Sequence, residues 1–211
     1  MTSRPSLVRA DIDLDAPGKH FGHIRVPHST HDSAYGWIAI PIAVIRSGDG
    51  PDVLLTAGNH GDEYEGQITL LKLMRELEPE VVRGRVIVIP RLNSPAAAAG
   101  RRTSPIDDGN LNRLFPGDPE GTPTEQIAHF VDSVLLPATQ VSLDIHSGGS
   151  SLEYLPCTFA RVPQDAALRT RQLAALVAFG APSTIIVEQP QSNRTLSAAA
   201  LARRRLQVRH A

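Results

Sequence analysis

The chain has 211 residues, 41% hydrophobic and 20% charged, with a formal net charge of -1. That is enough chain for one good core, and the near-neutral balance gives no general attraction to nucleic acid or anionic membrane. The lone cysteine, Cys157, excludes an internal disulfide. No window approaches 18 apolar residues, so no membrane span is expected. The N-terminus, "MTSRPSLVRADIDLD", carries charges where a secretion signal needs an apolar core, and cytoplasm is the expected location. Charge is unevenly spread, since residues 194–211 hold five arginines and no acid.

Residues 1–20 are polar and read as a loose or edge segment. "FGHIRVPH" and "GWIAIPIAVI" are rich in β-branched residues and read as strands, with "RSGDGPD" as the turn that follows. "VLLTAG" is short and continuously apolar, as in a strand buried on both faces. After "GNHGDEYEG", the residues Ile68, Leu70, Leu71, Leu73, Met74 and Leu77 recur at helical spacing, with Pro79 just beyond. "GRVIVIP" is the next buried strand. Residues 93–121 show no periodicity and read as a long functional loop. Thr122, Pro123 and Glu125 form a capping box that opens a helix to about Leu136. "VSLDIH" reads as a strand ending in a histidine, residues 165–179 as a helix stopped by Gly180, and "STIIVE" as a strand. This alternation predicts an α/β fold with a mostly parallel or mixed central sheet and helices on both faces. Ligands of such sheets bind outside the carboxyl ends of the strands, where His60 and His146 both fall.

His60, Glu63 and His146 have the composition of a three-ligand metal site with a fourth position left for water. Asp144, two residues before His146, is placed to orient that ligand. His60 and Glu63 also have a structural reading: they could cap a helix and favour its positive end, a stabilisation of roughly 0.3–1 kcal/mol. A second group, His20, His23, His28 and His31, flanks a strand whose alternate residues face opposite ways and cannot all converge. These four, and His129 inside a helix, read as solvated or packed. Cys157 has no local histidine or helix start to activate it. The polar loop carries Arg101, Arg102, Asn112 and Arg113, side chains suited to carboxylate recognition.

Taken together, "GNHGDEYEG", "NSPAAAAGRRTSPIDDGNLNRLFPG" and "LDIHSGG" resemble the succinylglutamate desuccinylase/aspartoacylase family, zinc-dependent amide hydrolases with a carboxypeptidase-like fold. The resemblance runs from about His23 to about Ser197 and is strongest to the branch that removes acetyl from N-alpha-acetyl-L-2,4-diaminobutyrate in ectoine degradation. It implies one Zn2+ held by His60, Glu63 and His146. It implies that Arg102 polarises the scissile carbonyl, with adjacent Arg101 the alternative. Asn112 and Arg113 would grip the substrate carboxylate, with Asp107 bracing their loop. The implied partner is a small N-acyl amino acid, with no nucleic acid or membrane and with homo-oligomerisation left open. Other acyl-amino-acid hydrolases, of the succinylglutamate or acetylaspartate type, are the alternatives within the class.

The resemblance also implies a glutamate general base beyond the second histidine. After His146 the acids are Glu153, Asp165 and Glu188, none followed by the glycines expected there, so the base is unassigned. The expectation is a zinc hydrolase domain over residues 1–197, including the N-terminal strands at 20–46. An atypical basic tail would occupy residues 198–211. A C-terminal portion lost by a frameshift near Ala200 would explain both anomalies. A metal-binding remnant without activity, and a basic helix docking an acidic partner, are the readings from other classes.

Overall fold

The computed structural model describes residues 6–161, 163–187, 193–203 and 206–210. Nine strands form one sheet among these residues: β1 (Arg9–Ala10), β2 (Gly18–Pro27), β3 (Trp37–Ser47), β4 (Asp52–Ala57), β5 (Gly84–Ile89), β6 (Val141–Ile145), β7 (Cys157–Arg161), β8 (Ser183–Val187) and β9 (Leu206–His210), in the spatial order β1-β2-β3-β5-β4-β6-β9-β7-β8. The sheet is mixed. β5, β4, β6 and β9 pair in parallel, whereas β1 to β3 join as antiparallel hairpins onto β5. β7 runs antiparallel to β9 and parallel to β8.

The period of two along each strand feeds two cores. Ile42 and Val44 of β3 and Ile87 and Ile89 of β5 point to one face. Ala43, Ile45 and Val88, from the alternate positions, point to the other. Burial on both faces accounts for the continuous apolar runs. Helix α1 (Tyr64–Glu76) closes one face with Leu70 and Met74, while Ile68, one of its periodic apolar residues, is exposed. Helix α3 (Pro123–Phe130), extended by a π-helical turn at Val131–Leu135, closes the other face. Its capping box forms as expected: Thr122 N–H donates to Glu125 at 2.9 Å and Glu125 N–H to the Thr122 hydroxyl at 3.4 Å.

The loop at residues 93–121 contains structure that periodicity does not reveal. Helix α2 (Ser94–Ala99) is capped by Asn93, whose side chain accepts from Ala96 N–H, and ends at Gly100 in the left-handed region. A 3-10 turn covers Leu111–Arg113. Helix α4 (Ala166–Phe179) starts at Asp165 and stops at Gly180, as the sequence predicts. Strand β7 was not anticipated. Within residues 198–211, most of helix α5 (Leu196–Ala202) packs on the α3 face and β9 enters the sheet between β6 and β7. Arg203 pairs with Asp132, tying the end of α5 to the π-helical turn. No helix among the described residues is long and apolar enough to cross a membrane.

Candidate metal centre

β4 and β6 are parallel neighbours, with Thr56 opposite Asp144 and Ala57 opposite Ile145. From β4 the chain crosses through α1 to β5 on one side, then returns through α3 to β6 on the other. β4 is therefore a topological switch point, where a crevice opens at the carboxyl ends of the strands. His60 leaves the end of β4 and His146 the end of β6.

The glycines of the intervening turn each answer a contact. Gly58 has φ +68°, the region that favours glycine. A Cβ on Gly61 would lie 2.0 Å from the carbonyl carbon of Ala96, and one on Gly66 would lie 2.7 Å from the Ile145 side chain. Gly61 N–H donates to the Arg101 carbonyl at 2.9 Å. Gln67, buried in the first turns of α1, donates to the carbonyls of Gly61 and Glu63, both at 3.0 Å. The turn is thus clamped between α1 and the α2 loop.

Within it, Glu63 occupies the position preceding α1 without capping it. Its carboxylate lies between two histidines: His60 Nδ1 is 2.6 Å from Oε1 and His146 Nδ1 is 2.7 Å from Oε2. Ser147 N–H also donates to Oε2, at 3.2 Å. Ligating atoms of the three residues lie within 4.8 Å of one another, and all three residues are buried. Burial alone would raise the Glu63 pKa, but the hydrogen bonds and charge of His146 and His60 outweigh it and hold the carboxyl well below the usual carboxylate range.

The outer nitrogens have partners of their own. His146 Nε2 is 2.8 Å from Asp144 Oδ2, and His60 Nε2 is 3.3 Å from Asn110 Oδ1. Each outer partner offers an oxygen acceptor for a ring proton, as Glu63 does on the inner side. With the ring proton held on the outer nitrogen, each Nδ1 can present its lone pair to a cation that replaces the hydrogen bonds to Glu63. Two imidazole nitrogens and a carboxylate thus converge in a buried space where a cation can take the place of the protons between them. Two buried carboxylates, Glu63 in contact and Asp144 behind His146, match the charge of one divalent ion. The donor set fits a metal with nitrogen and oxygen preference, zinc among them.

Arg102 Nη1 lies 3.4 Å from Glu63 Oε1 while the side chain is 52% exposed, so it reaches the triad from the solvent side. Adjacent Arg101 contributes its backbone carbonyl to the turn. Asp107 accepts from Thr124 N–H and the Thr124 hydroxyl, both at 2.7 Å, and from Gly109 N–H at 3.2 Å, fastening the loop to the start of α3. Asn112 is buried and its Oδ1 accepts from Leu196 N–H at 3.1 Å. Arg113 is exposed and donates to the Asn112 carbonyl at 2.7 Å. Asn59, Asn110 and Gln67 were not singled out from sequence. In a glycine-rich turn an asparagine reads as turn chemistry, and only the tertiary contacts separate it from that.

Of the acids after His146, Glu153 lines a cleft of about 440 Å³ together with His146, Ser147, Leu152, Tyr154 and Glu65. Asp165 accepts from Leu168 N–H as the α4 cap, and Glu188 lies outside the described residues. The N-terminal histidines stay apart from the triad: His20 meets the Pro17 carbonyl and His23 sits edge-on to Trp37.

Known proteins carry the same arrangement of chain. The chain is 50% identical over 184 residues to the N-alpha-acetyl-L-2,4-diaminobutyric acid deacetylase of Halomonas elongata, spanning 87% of this chain and 54% of that protein. The product-bound structure of the ectoine utilization protein EutE (DoeB) from Ruegeria pomeroyi superposes with a TM-score of 0.94 at 42% identity, over 98% of this chain and 63% of that one. A succinylglutamate desuccinylase from Silicibacter sp. TM1040 superposes with a TM-score of 0.94 at 41% identity, over the same shares. The chain thus spans between half and two thirds of the length of these relatives. Residues 49–207 match the model of the succinylglutamate desuccinylase/aspartoacylase catalytic domain, and the chain belongs to that family.

Proposed function

We propose that the chain is a zinc-dependent hydrolase of the amide bond of an N-acyl amino acid, with N-alpha-acetyl-L-2,4-diaminobutyrate as the substrate. The observation that carries this reading is the buried convergence of His60, Glu63 and His146 at the switch point of the sheet. The acyl group is argued from the 50% identical deacetylase. We assign the enzyme to the cytoplasm.

Zinc, when bound, supplies a polarised amide carbonyl and an acidified water. His60, Glu63 and His146 hold it, and Asp144 keeps the Nε2 proton on His146 so that Nδ1 stays a lone-pair donor. Arg102, at the rim and within reach of Glu63, stabilises the oxyanion that develops on the substrate carbonyl. Asn112 and Arg113 orient the substrate through its carboxylate. Because the Asn112 oxygen is committed to Leu196, its NH2 group is the end suited to that role.

The test is acetate release from N-alpha-acetyl-L-2,4-diaminobutyrate by the zinc-loaded chain beside a His60→Ala control. Release that the control abolishes supports the reading. Zinc-occupied, folded protein that releases acetate from neither this substrate nor N-acetylaspartate would overturn it.

A further inference from the structure

Asp144 is held more completely than a carboxylate that merely accepts from one histidine. Thr56, its register partner on β4, donates from Oγ1 to Asp144 Oδ1 at 2.8 Å. The other acceptor near that hydroxyl, the Leu143 carbonyl, is farther away at 3.4 Å. Asn59 donates from Nδ2 to Asp144 Oδ2 at 3.2 Å, beside the 2.8 Å contact of His146 Nε2 to the same oxygen. Thr56, Asn59, Asp144 and His146 are all at most 2% exposed.

Asn59 stands immediately before His60 in the chain, so one short segment supplies both a metal ligand and a donor to the residue behind the other histidine. Its orientation carries a penalty. With the nitrogen turned to Asp144, the carboxamide oxygen is buried without a hydrogen-bond partner among the described residues, which destabilises a fold. A side chain present only to shape the turn would gain by turning its oxygen to a backbone N–H.

We propose that Thr56 and Asn59 are positioning residues of the metal centre. By occupying both oxygens of Asp144 they fix the carboxylate plane, so that it accepts the hydrogen bond from His146 Nε2–H and aims Nδ1 at the ion. Ligand basicity and ring orientation at metal sites are governed by such outer partners. The inference rests on the metal reading above and extends it one layer outward.

The experiment is zinc affinity of the 211-residue chain by competition with a chromophoric chelator, in the parent, Asn59→Ala and Thr56→Val. Both substitutions are repeated in an Asp144→Ala background, and apo-protein melting is recorded for each. Each single variant is expected to weaken zinc binding by about tenfold, the lower end for outer partners of metal ligands. Neither should weaken it further once Asp144 is alanine, because the route runs through that carboxylate. A loss of the same size in both backgrounds overturns the proposal, whatever happens to melting. So do affinities within about twofold of the parent in both single variants. Thr56→Val is nearly isosteric and carries the test alone if Asn59→Ala does not fold. A parent that binds zinc no better than His60→Ala overturns the metal reading and this one with it. A parent that binds well, with unchanged single variants, overturns only the positioning role.

Discussion

The side-chain oxygen of Asn112 accepts a hydrogen bond from the backbone N–H of Leu196, 84 residues further along the chain. One bond thereby joins the polar loop to the first residue of α5 inside the protein. Replacing Asn112 by alanine leaves that buried N–H unpaired, which costs roughly 1–3 kcal/mol. For a domain of this size, each kcal/mol lowers the melting temperature by about 2–4 °C. Calorimetry of Asn112→Ala should find a drop of that order, and an unchanged transition would mean that α5 does not depend on the loop.

Removal of the ion should soften the protein without unfolding it. His60, Glu63 and His146 and their turn are held by Gln67, Asp144 and Asn110 independently of any ion. A ligand that binds only the folded state stabilises by about 2.7 kcal/mol at one hundred times its Kd. Chelator treatment should therefore lower the melting temperature, and added zinc should restore it in the parent but not in His146→Ala. Parallel recovery in both would place the ion elsewhere.

Arg102 approaches Glu63 from solvent and is not a ligand, so its loss should separate chemistry from metal binding. Arg102→Ala is expected to lower kcat for acetate release by about 10²–10³-fold, the range for a lost oxyanion donor. Zinc content should be unchanged. A variant that loses its zinc as well would make Arg102 part of the metal site's support.

Asp107 yields a pH dependence. Partial burial would raise its pKa, but the Thr124 backbone and hydroxyl, Ser104 and Gly109 N–H together depress it below the ordinary value of 3.8. A depressed folded value means that ionised Asp107 contributes stability above the unfolded pKa, and that this is lost as pH falls through the folded value. Urea midpoints of the parent and Asp107→Asn should differ at pH 7 and draw together only as pH falls from about 4 through the lower folded value. A constant gap across that window would mean that the carboxylate charge plays no part.

Strand β8 lies at the sheet edge with Ile185 45% and Ile186 48% exposed. An apolar edge of this kind templates association. Ile186→Lys should shift the chain toward its smallest species in size-exclusion chromatography, and an unchanged elution profile would clear this edge of any role in self-association.

How far the sequence reached follows from the range of its signals. His60 and Glu63 were legible because they stand three positions apart at the end of an apolar strand, and His146 because "VSLDIH" ends in it. Thr56 and Asn59 carried no such mark: a threonine in a strand and an asparagine in a turn are ordinary, and only pairing of β4 with β6 brings them to Asp144. Helix α2 had its Asn93 cap, a proline in its first turn and Gly100, but six residues are too few for periodicity to register. β9 was hidden differently. Its arginine and histidine read as a charged tail, and a strand there is specified only by its pairing with β6 and β7.

That last placement sets an order of events in folding. β7 and β8 precede β9 in the chain yet are separated from β6 by it. The sheet from β1 to β6 can assemble from contacts already synthesised. The β7–β8 unit gains its sheet partner only when residues 206–210 insert between β6 and β7. Non-local strand pairing of this kind is slow to form. Refolding should accordingly proceed in two stages, with His60, Glu63 and His146 gathered in the first and the α4 side of the cleft built in the second.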